Sequence, residues 1–497
     1  MRGLSHRYFS SPAFRGRGGT QAEGLGGEGL ADSGVQTLTS HPLRGRAPPL
    51  PRKAGEGLGD RRSGLLVFAA LALASCGEVA GQDDRAEIYL QRFFGECGAQ
   101  YGGATDVSKV EGECGIVTAM INKFNAGNPD VHVSSNVVAW PGYPQLSAQM
   151  AARDPPDLVT MHTGMISDYA AEGLLEPIEP YLAEAGIAPS ALTEASRGAV
   201  TIGARLYGLP FDTHGGLFHI NTKLFEQAGL MKGGKPVLPT SPEEMLAHAR
   251  QFTLRTGKPY LIQSLVGDNA YAARNLYTYL LAQDAVLFPT PKTIRLQTAE
   301  AERIVDFFRA ITASGTSTRN QDTPAAIASF MSGEGGIYPT GTWMIGQFEA
   351  EANTPGRPLH QSYTVYPYPR LWGAEVSYVS GHAWVVPKRE RTAEQRRAIG
   401  RFFRFIAEHN FDWARTGHLP AFKAVVESPE FKALPHRMNI APVASTGRPL
   451  PGGVQRQNAI EGLVGEEVAA AFNGQKPTKQ ALADAERRVN ELLAGLD

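Results

Sequence analysis

Short apolar segments alternate with amphipathic segments from about residue 87 onward. In one amphipathic segment Ile116, Met120 and Phe124 recur at the spacing of a single helical face. The pattern predicts, in order, a strand over 88–93, a helix that ends near 127, a strand over 131–138, a helix over 143–152 and a strand over 157–161. This series favours a parallel sheet covered by helices, with ligands expected at the carboxyl ends of the strands.

Later parts of the chain continue the mixed pattern. Residues 301–313, 393–408 and 482–492 place apolar side chains on one helical face, as helices that pack on a core do. The Gly and Pro content of 233–242 and 354–358 predicts loops there. No repeat of about 20–50 residues is apparent, so the pattern indicates an α/β protein and not a repeat protein.

The first 62 residues follow no such pattern and carry a different charge. They hold ten Arg and Lys against five Asp and Glu, so the chain from Cys76 onward has a net charge of −6 within a total of −1. The first 60 residues also contain 13 Gly and 5 Pro, which is typical of disordered chain. We expect residues 1–60 to be a leader that is disordered or lies upstream of the true start. A total charge near zero argues against nucleic acid as a partner.

Residues 61–75 have the three parts of an export signal. Arg61 and Arg62 precede a nine-residue apolar run over 65–73, which is followed by Ala74-Ser75-Cys76. The run is about half as long as the ~20 residues that span a bilayer. Residues 73–76 resemble the lipobox of bacterial lipoproteins, which implies that Cys76 is lipidated and that 76–86 form a tether. The alternatives are an uncleaved anchor and an ordinary export signal with a coincidental cysteine.

Two further cysteines, Cys97 and Cys114, lie 17 residues apart. In an exported chain they most simply form a disulfide, which contributes about 3 kcal/mol in a loop-entropy model. Free thiols are the alternative. A structural zinc site is not indicated, because no Cys or His pair at zinc-site spacing lies nearby.

Several motifs follow one another along the chain from Asp157 onward. They read AAEGLLEPI at 170–178, LYGLPFD at 206–212, FHINTKLFEQAGL at 218–230, GTW at 341–343, GHAWVVP at 381–387 and WARTGHLPA at 413–421. Together they resemble family 1 of the extracellular solute-binding proteins, the sugar-binding receptors of ABC importers. Their order and spacing match that family over nearly the whole chain from about residue 87.

The resemblance implies a two-lobed, type II-like clamshell with several hinge crossovers, in which each lobe is a helix-covered, mainly parallel sheet. It assigns 87–211 plus 383–425 to the N-terminal lobe and 212–382 plus 426–497 to the C-terminal lobe. Closure of such lobes captures a ligand without a catalytic group. The expected protein is a bacterial, lipid-anchored monomer of the periplasm or the extracellular face. It needs no cofactor and delivers a carbohydrate to a membrane permease.

A neutral sugar needs hydrogen-bond donors and acceptors together with an aromatic surface. The candidate ligand-binding residues are Trp140, Tyr143, His162, Thr163, Asp212, His214, Asp268, Arg274, Trp343, Gly381 and His382, with Asn269 and Tyr271 as further possibilities. Each has a structural alternative. The tryptophans would also fit a packed core, Asp212 a hinge cap bonded to backbone N–H groups, and the histidines a surface loop.

Two other classes compete with a binding protein. An exported glycoside hydrolase would use the same carboxylates and aromatics, and a carboxylate pair leaves no local motif, although the common nucleophile, zinc-protease and phosphate-loop motifs are missing. An interaction protein that no longer binds solute is the other class. A metal site is not expected from His214 and His219, because residues five apart on an extended segment do not share a face.

Overall fold

The structure, a computed structural model, describes residues 85–139, 142–267 and 270–496. The predicted leader, the export signal and Cys76 lie outside these residues, as do the candidate site residues Trp140 and Asp268. Among the helices in the described ranges, none combines the length and the apolar character that crossing a membrane requires.

Strands and helices alternate through most of the described chain. The strands are β1 Ala86–Arg92, β2 Val131–Val137, β3 Leu158–His162, β4 Thr201–Ile202, β5 Arg205–Leu206, β6 Leu209–Pro210, β7 Asp212–Asn221, β8 Met231–Lys232, β9 Lys235–Pro236, β10 Ile337–Gly341, β11 Tyr363–Pro367, β12 Ser377–Ser380, β13 His382–Val385, β14 Leu419–Pro420 and β15 Gly447–Arg448. The helices are α1 Gly98–Tyr101, α2 Gly112–Gly127, α3 Tyr143–Ala151, α4 Thr163–Ala171, α5 Glu179–Ala185, α6 Glu194–Val200, α7 Thr222–Gln227, α8 Pro242–Thr256, α9 Ala270–Ala282, α10 Ala299–Ala313, α11 Thr323–Met331, α12 Ile345–Asn353, α13 Ala393–Glu408, α14 Asn410–Ala414, α15 Lys423–Glu427, α16 Pro429–Ala433, α17 Arg437–Ile440, α18 Val443–Thr446, α19 Gln457–Phe472 and α20 Thr478–Ala494. Short 3-10 turns cover Val107–Lys109, Pro189–Ala191 and Thr342–Met344.

The first sheet has the strand order β2-β1-β3-β13-β6. Strand β1 pairs in parallel with β2 and β3, which confirms the predicted series of strand, helix, strand, helix and strand. The core of this lobe forms between the sheet and its helices, and it includes Leu90, Met161, Trp384 and Phe402, all of them fully buried. Strand β13 arrives from the far part of the chain and pairs antiparallel with β3.

The second sheet is built around β7, a ten-residue strand. Strands β10, β11, β12 and β14 all pair antiparallel with β7, and β15 alone adds a parallel pair, with β12. A mainly parallel sheet is therefore found in the first lobe and not in the second. The pattern that predicts parallel strands, in which strands alternate with crossover helices, occurs only in residues 87–161, before β7 begins.

Two strands continue almost without interruption from one sheet into the other. Only Phe211 separates β6 of the first sheet from β7 of the second, and only Gly381 separates β12 from β13. Near the end of the chain, β14 also returns to β7 and pairs with Asp212 and Thr213. The two lobes are thus joined at one small region, into which Asp212 and Gly381 bring neighbouring backbone.

A disulfide joins Cys97 to Cys114, as the sequence predicts, with a Cα–Cα distance of 6.1 Å. It links the segment after β1 to the first turns of α2. The bridge therefore ties the carboxyl end of a central strand to a covering helix.

Candidate functional site

Four histidines meet where the lobes are joined. His162 ends β3 and His382 begins β13 at the paired register position, so their side chains lie side by side. His214 comes from β7 of the second sheet and His418 from the segment before β14. The ring centroid of His382 lies 4.7 Å from that of His162, 5.0 Å from that of His214 and 5.4 Å from that of His418.

Asp212 holds the histidine at the centre of this group. Its Oδ1 accepts the backbone N–H of His382 at 2.9 Å, and its Oδ2 accepts the ring Nδ1–H of His382 at 2.8 Å. Oδ2 also accepts the indole N–H of Trp413 at 2.7 Å. Burial alone would raise the pKa of Asp212, but the neighbouring His382 and His418 hold it well below its usual value. The buried carboxylate therefore stays ionised and directs Nε2 of His382 away from itself.

His162 is held from the opposite side by Tyr143. The tyrosine oxygen accepts the backbone N–H of His162 and lies 3.0 Å from its ring Nδ1. The ring stacks on Phe93, with centroids 5.3 Å apart, and its Nε2 lies 3.2 Å from Nε2 of His382. Burial, with His382 next, lowers the pKa values of both His162 and His214 well below the usual range, so these two rings are neutral.

Thr163 and Gly381 connect β3 to the crossover between β12 and β13. The N–H of Gly381 donates to the hydroxyl of Thr163 at 3.1 Å, and the N–H of Thr163 donates to the carbonyl of Gly381 at 2.9 Å. Ser380 adds a hydroxyl 3.2 Å from that of Thr163. These bonds fix the backbone that carries His162 and His382.

The second lobe contributes an aromatic and charged wall. Trp343, in the turn after β10, is partly exposed and meets His214 edge-on, with ring centroids 5.5 Å apart. Arg274 on α9 donates two hydrogen bonds to Glu461 on α19, at 2.8 and 2.9 Å. Its guanidinium carbon lies 5.9 Å from the Trp343 ring and 5.4 Å from the ring of Tyr271. A partly exposed indole face thus lies beside a fixed set of N–H donors and carboxylate oxygens.

A family described as bacterial extracellular solute-binding protein matches residues 119–439, which is more than half of the chain. The chain belongs to this family. Among curated relatives, the solute-binding protein is 25% identical over 138 residues to a binding protein of Brucella abortus (strain 2308). That alignment covers 28% of this chain and 32% of the relative, so it spans about a third of the length of the curated relatives it matches.

Solved structures share the fold of this solute-binding protein. The cyclic alpha-maltosyl-1,6-maltose binding protein from Arthrobacter globiformis is 19% identical with a TM-score of 0.68, and the match covers 83% of this chain and all of the other. The sugar-binding protein MalE from Xanthomonas citri is 17% identical with a TM-score of 0.69, and the match covers 82% of this chain and 98% of the other. These likenesses establish the two-lobed α/β clamshell that the sequence motifs predict.

The two lobes of the solute-binding protein also touch away from the crossovers. The hydroxyl of Ser167 on α4 donates to the carbonyl of Val454 at 2.7 Å. The backbone N–H of Arg456, at the start of α19, donates to Oδ1 of Asp168 at 2.7 Å. Because α4 begins at the carboxyl end of β3, this contact lies at the same edge of the first sheet as the histidines.

The structure places most of the predicted site residues in this one region. Tyr143, His162, Thr163, Asp212, His214, Gly381 and His382 surround the crossovers, and Arg274 and Trp343 form the wall beside them. His219 lies elsewhere, because its Nδ1 pairs with the hydroxyl of Tyr363 at 2.8 Å inside the second lobe. Trp140 and Asp268 fall outside the described residues.

Sequence reasoning missed four residues of the site. His418 pairs with Glu113 on α2 at 2.8 Å, Trp413 donates to Asp212, and Glu461 binds Arg274. Burial alone would lower the pKa of His418, but the carboxylates of Asp212 and Glu113 raise it. His418 and Trp413 lie in the motif at 413–421, which was a usable signal. Glu113 and Glu461 look like ordinary polar positions of amphipathic helices.

Proposed function

We propose that this solute-binding protein captures a carbohydrate between its two lobes and delivers it to the permease of an ABC importer. Family membership supports solute capture, and the residue types of the site favour a sugar. Aromatic surface suits the C–H face of a sugar ring, while fixed donors and acceptors suit its hydroxyls. The structural relatives described above are named for maltose-type and other sugars, which points in the same direction.

The observation that carries the proposal is the position of Trp343. Its indole is partly exposed beside the Arg274–Glu461 pair and meets His214 from the crossover region. A sugar ring stacked on this indole would have guanidinium N–H groups and a carboxylate within reach of its hydroxyls. Charge-assisted bonds of this kind are shorter and stronger than neutral ones.

The proposal gives the predicted site residues different roles. Trp343, Arg274 and Tyr143 would contact solute, whereas Asp212, Thr163 and Gly381 would position the crossover backbone and its histidines. Asp212 accepts three protein hydrogen bonds already, so it acts through His382 and Trp413. Trp140 and Asp268 stay candidates for the same cleft on the sequence pattern alone.

We further infer export and attachment to a membrane through a lipid on Cys76. The support is the three-part signal over residues 61–75 and the lipobox-like residues 73–76. A fatty-acid analogue should label the wild-type protein, and Cys76→Ala should abolish the label. Label that persists in the variant would contradict lipidation. The anchored protein is expected to be a monomer.

A thermal-shift screen with neutral mono- and oligosaccharides and polyols tests the function. At least one of these solutes should raise the melting temperature, because a ligand that binds only the folded state stabilises it. Chromatography of the same mixtures should show the solute unchanged. Conversion to smaller sugars would identify the protein as a glycoside hydrolase, and no shift with any solute would favour a protein that no longer binds one.

A further inference from the structure

Three histidines of the crossover region converge in the manner of a metal site. His162, His214 and His382 each offer one ring nitrogen, and the three atoms lie within 4.8 Å of one another. The three side chains come from β3, β7 and β13, and therefore from both sheets. Their rings are buried or nearly so, which keeps competing water away.

The nitrogen of His382 is oriented for coordination. Its Nδ1–H donates to the buried carboxylate of Asp212 at 2.8 Å, which leaves the lone pair on Nε2. A carboxylate that fixes the tautomer of a histidine in this way is the usual partner of a metal-bound imidazole. Asp212 is itself held by the indole N–H of Trp413 at 2.7 Å. The ring cannot turn without breaking these bonds.

The spacing of the first two nitrogens fits a tetrahedral ion. Nε2 of His162 and Nε2 of His382 are 3.2 Å apart. Two imidazole nitrogens bound at about 2.0–2.1 Å to a tetrahedral zinc ion lie about 3.3 Å from each other. The pair therefore needs almost no movement to bind one ion between them.

The protonation of His162 can adapt without loss of a proton. Without an ion, one of the two facing nitrogens must carry hydrogen, and Nε2–H of His162 then donates to His382. Its Nδ1 lies 3.0 Å from the oxygen of Tyr143, which can accept a hydrogen bond as well as donate one. Moving the proton from Nε2 to Nδ1 thus frees a second lone pair, with Tyr143 as the new acceptor.

His214 supplies the third nitrogen. Among the residues that the structure describes, its ring makes aromatic contacts with His162, His382, His418 and Trp343 and no hydrogen bond. The residue is 9% exposed, so its nitrogens are removed from most solvent. A buried imidazole in this position gains a partner when an ion binds.

A second grouping in the same region is less suited to an ion. Asp212, His382 and His418 also lie within 4.8 Å of one another. The oxygens of Asp212 already accept three hydrogen bonds, and Nε2 of His418 is bound to Glu113 at 2.8 Å. These atoms would have to give up existing partners.

We propose that His162, His214 and His382 bind one divalent first-row transition ion, with Zn²⁺ as the reference ion and a fourth position open to water or solute. Neutral imidazoles select such ions over Mg²⁺ and Ca²⁺, which prefer oxygen ligands. Since the ligands come from both lobes, the ion favours the arrangement in which the lobes are closed. The inference does not rest on the carbohydrate proposal.

The test uses the chain without a histidine tag, stripped with a chelator and then titrated with Zn²⁺ by calorimetry. One Zn²⁺ should bind per chain and stay bound through desalting, as measured by mass spectrometry of the metal, while Mg²⁺ gives no heat. His214→Gln should weaken Zn²⁺ binding at least tenfold, because it removes a ligand that makes no hydrogen bond within the described structure. His132→Gln, at a partly exposed histidine of β2, should leave it unchanged.

Co²⁺ provides a readout that does not depend on any variant folding. Tetrahedral coordination by nitrogen should give strong visible absorption in the wild-type protein, and His162→Gln should remove it. Zn²⁺ that fails to bind, or that binds His214→Gln as tightly as the wild type, would overturn the proposal. Trp343→Ala should keep the Zn²⁺ and lose the sugar, so failure of one proposal is distinguishable from failure of the other.

Discussion

The backbone carbonyl of Asp212 occupies the space that a side chain at Gly381 would need. A Cβ built on Gly381 would lie 2.4 Å from that oxygen, closer than real Cβ contacts allow. The two residues belong to different crossovers, so this close approach is what brings β7 and β12 together where the lobes join. Only glycine permits it.

We expect Gly381→Ala to destabilise the protein by about 1–3 kcal/mol, because the crossovers must separate to admit the methyl group. Urea unfolding followed by circular dichroism measures the change. Gly462→Ala is the matched control. Gly462 lies on α19, and outside its own helix backbone no heavy atom lies within 4 Å of the position that an alanine methyl group would take. Alanine there should be neutral or stabilising by about 0.5–1 kcal/mol. Equal stability of Gly381→Ala and wild type would show that the crossover tolerates expansion.

Asp212→Asn should lower the free energy of unfolding by about 1.5–3 kcal/mol, since an amide replaces one of the oxygens that accept buried N–H groups. The His382 ring and the Trp413 indole would compete for the acceptor that is left. Asp130→Asn, at an exposed carboxylate paired with Arg401, should change stability by no more than about 0.5 kcal/mol. If Asp212→Asn lost solute affinity at unchanged stability, the carboxylate would belong to the solute contacts instead.

The first sheet follows from the sequence because its strands and helices have distinct apolar periods. Residues 131–138 alternate with helical segments on either side, and β2, α2 and α3 form there. The direction of pairing around β7 could not be predicted, because nothing local distinguishes an antiparallel partner about 120 residues away from a parallel one. The strand is defined by Leu217, Phe218 and Ile220, which pack into the core in either arrangement.

The candidate site was predictable residue by residue but not as an assembly. His162, Asp212 and His382 each adjoin a predicted strand or a family motif, which marks them individually. Their contact depends on crossovers that bring together residues 170 and 220 positions apart. Glu461 was invisible for another reason, since its partner Arg274 lies on a different helix and an isolated acid on an amphipathic helix is normally solvated.

His219 should make the stability of the protein depend on pH in the acid range. Burial lowers the pKa of His219 to about 3, whereas in the unfolded chain it is about 6.5. Between these values the unfolded state binds one more proton, so the free energy of unfolding falls as the pH falls. His219 alone should remove about 2 kcal/mol between pH 7 and pH 5.

Urea unfolding of the wild type and of His219→Gln at pH 7 and pH 5 measures this contribution. The variant should lose less stability than the wild type over the same interval, by about 2 kcal/mol. His132→Gln serves as the comparison and should behave like the wild type. Parallel losses in wild type and His219→Gln would mean that His219 does not stay neutral in the folded state.

Contact between α4 and the start of α19 should slow the release of solute. Ser167→Ala removes the hydrogen bond to the carbonyl of Val454 and should weaken binding by about 0.5–1.5 kcal/mol, a twofold to tenfold change that appears mainly in the dissociation rate. Ser147→Ala removes a hydroxyl that contacts Tyr169 within the first lobe and should leave the rate near that of wild type. Stopped-flow release measurements distinguish the two. Identical dissociation rates in all three proteins would place this contact outside the closing movement.

Calorimetric titration of the wild type, Trp343→Ala and Trp343→Phe with the sugar that gives the largest thermal shift tests carbohydrate capture most directly. The wild type should bind one sugar per chain, Trp343→Ala should lose about 1–3 kcal/mol of binding free energy, and Trp343→Phe should retain most of it because an aromatic face remains. Affinity that is the same in all three proteins would contradict stacking on Trp343. Absence of binding by the wild type to every neutral carbohydrate would contradict capture of a sugar altogether.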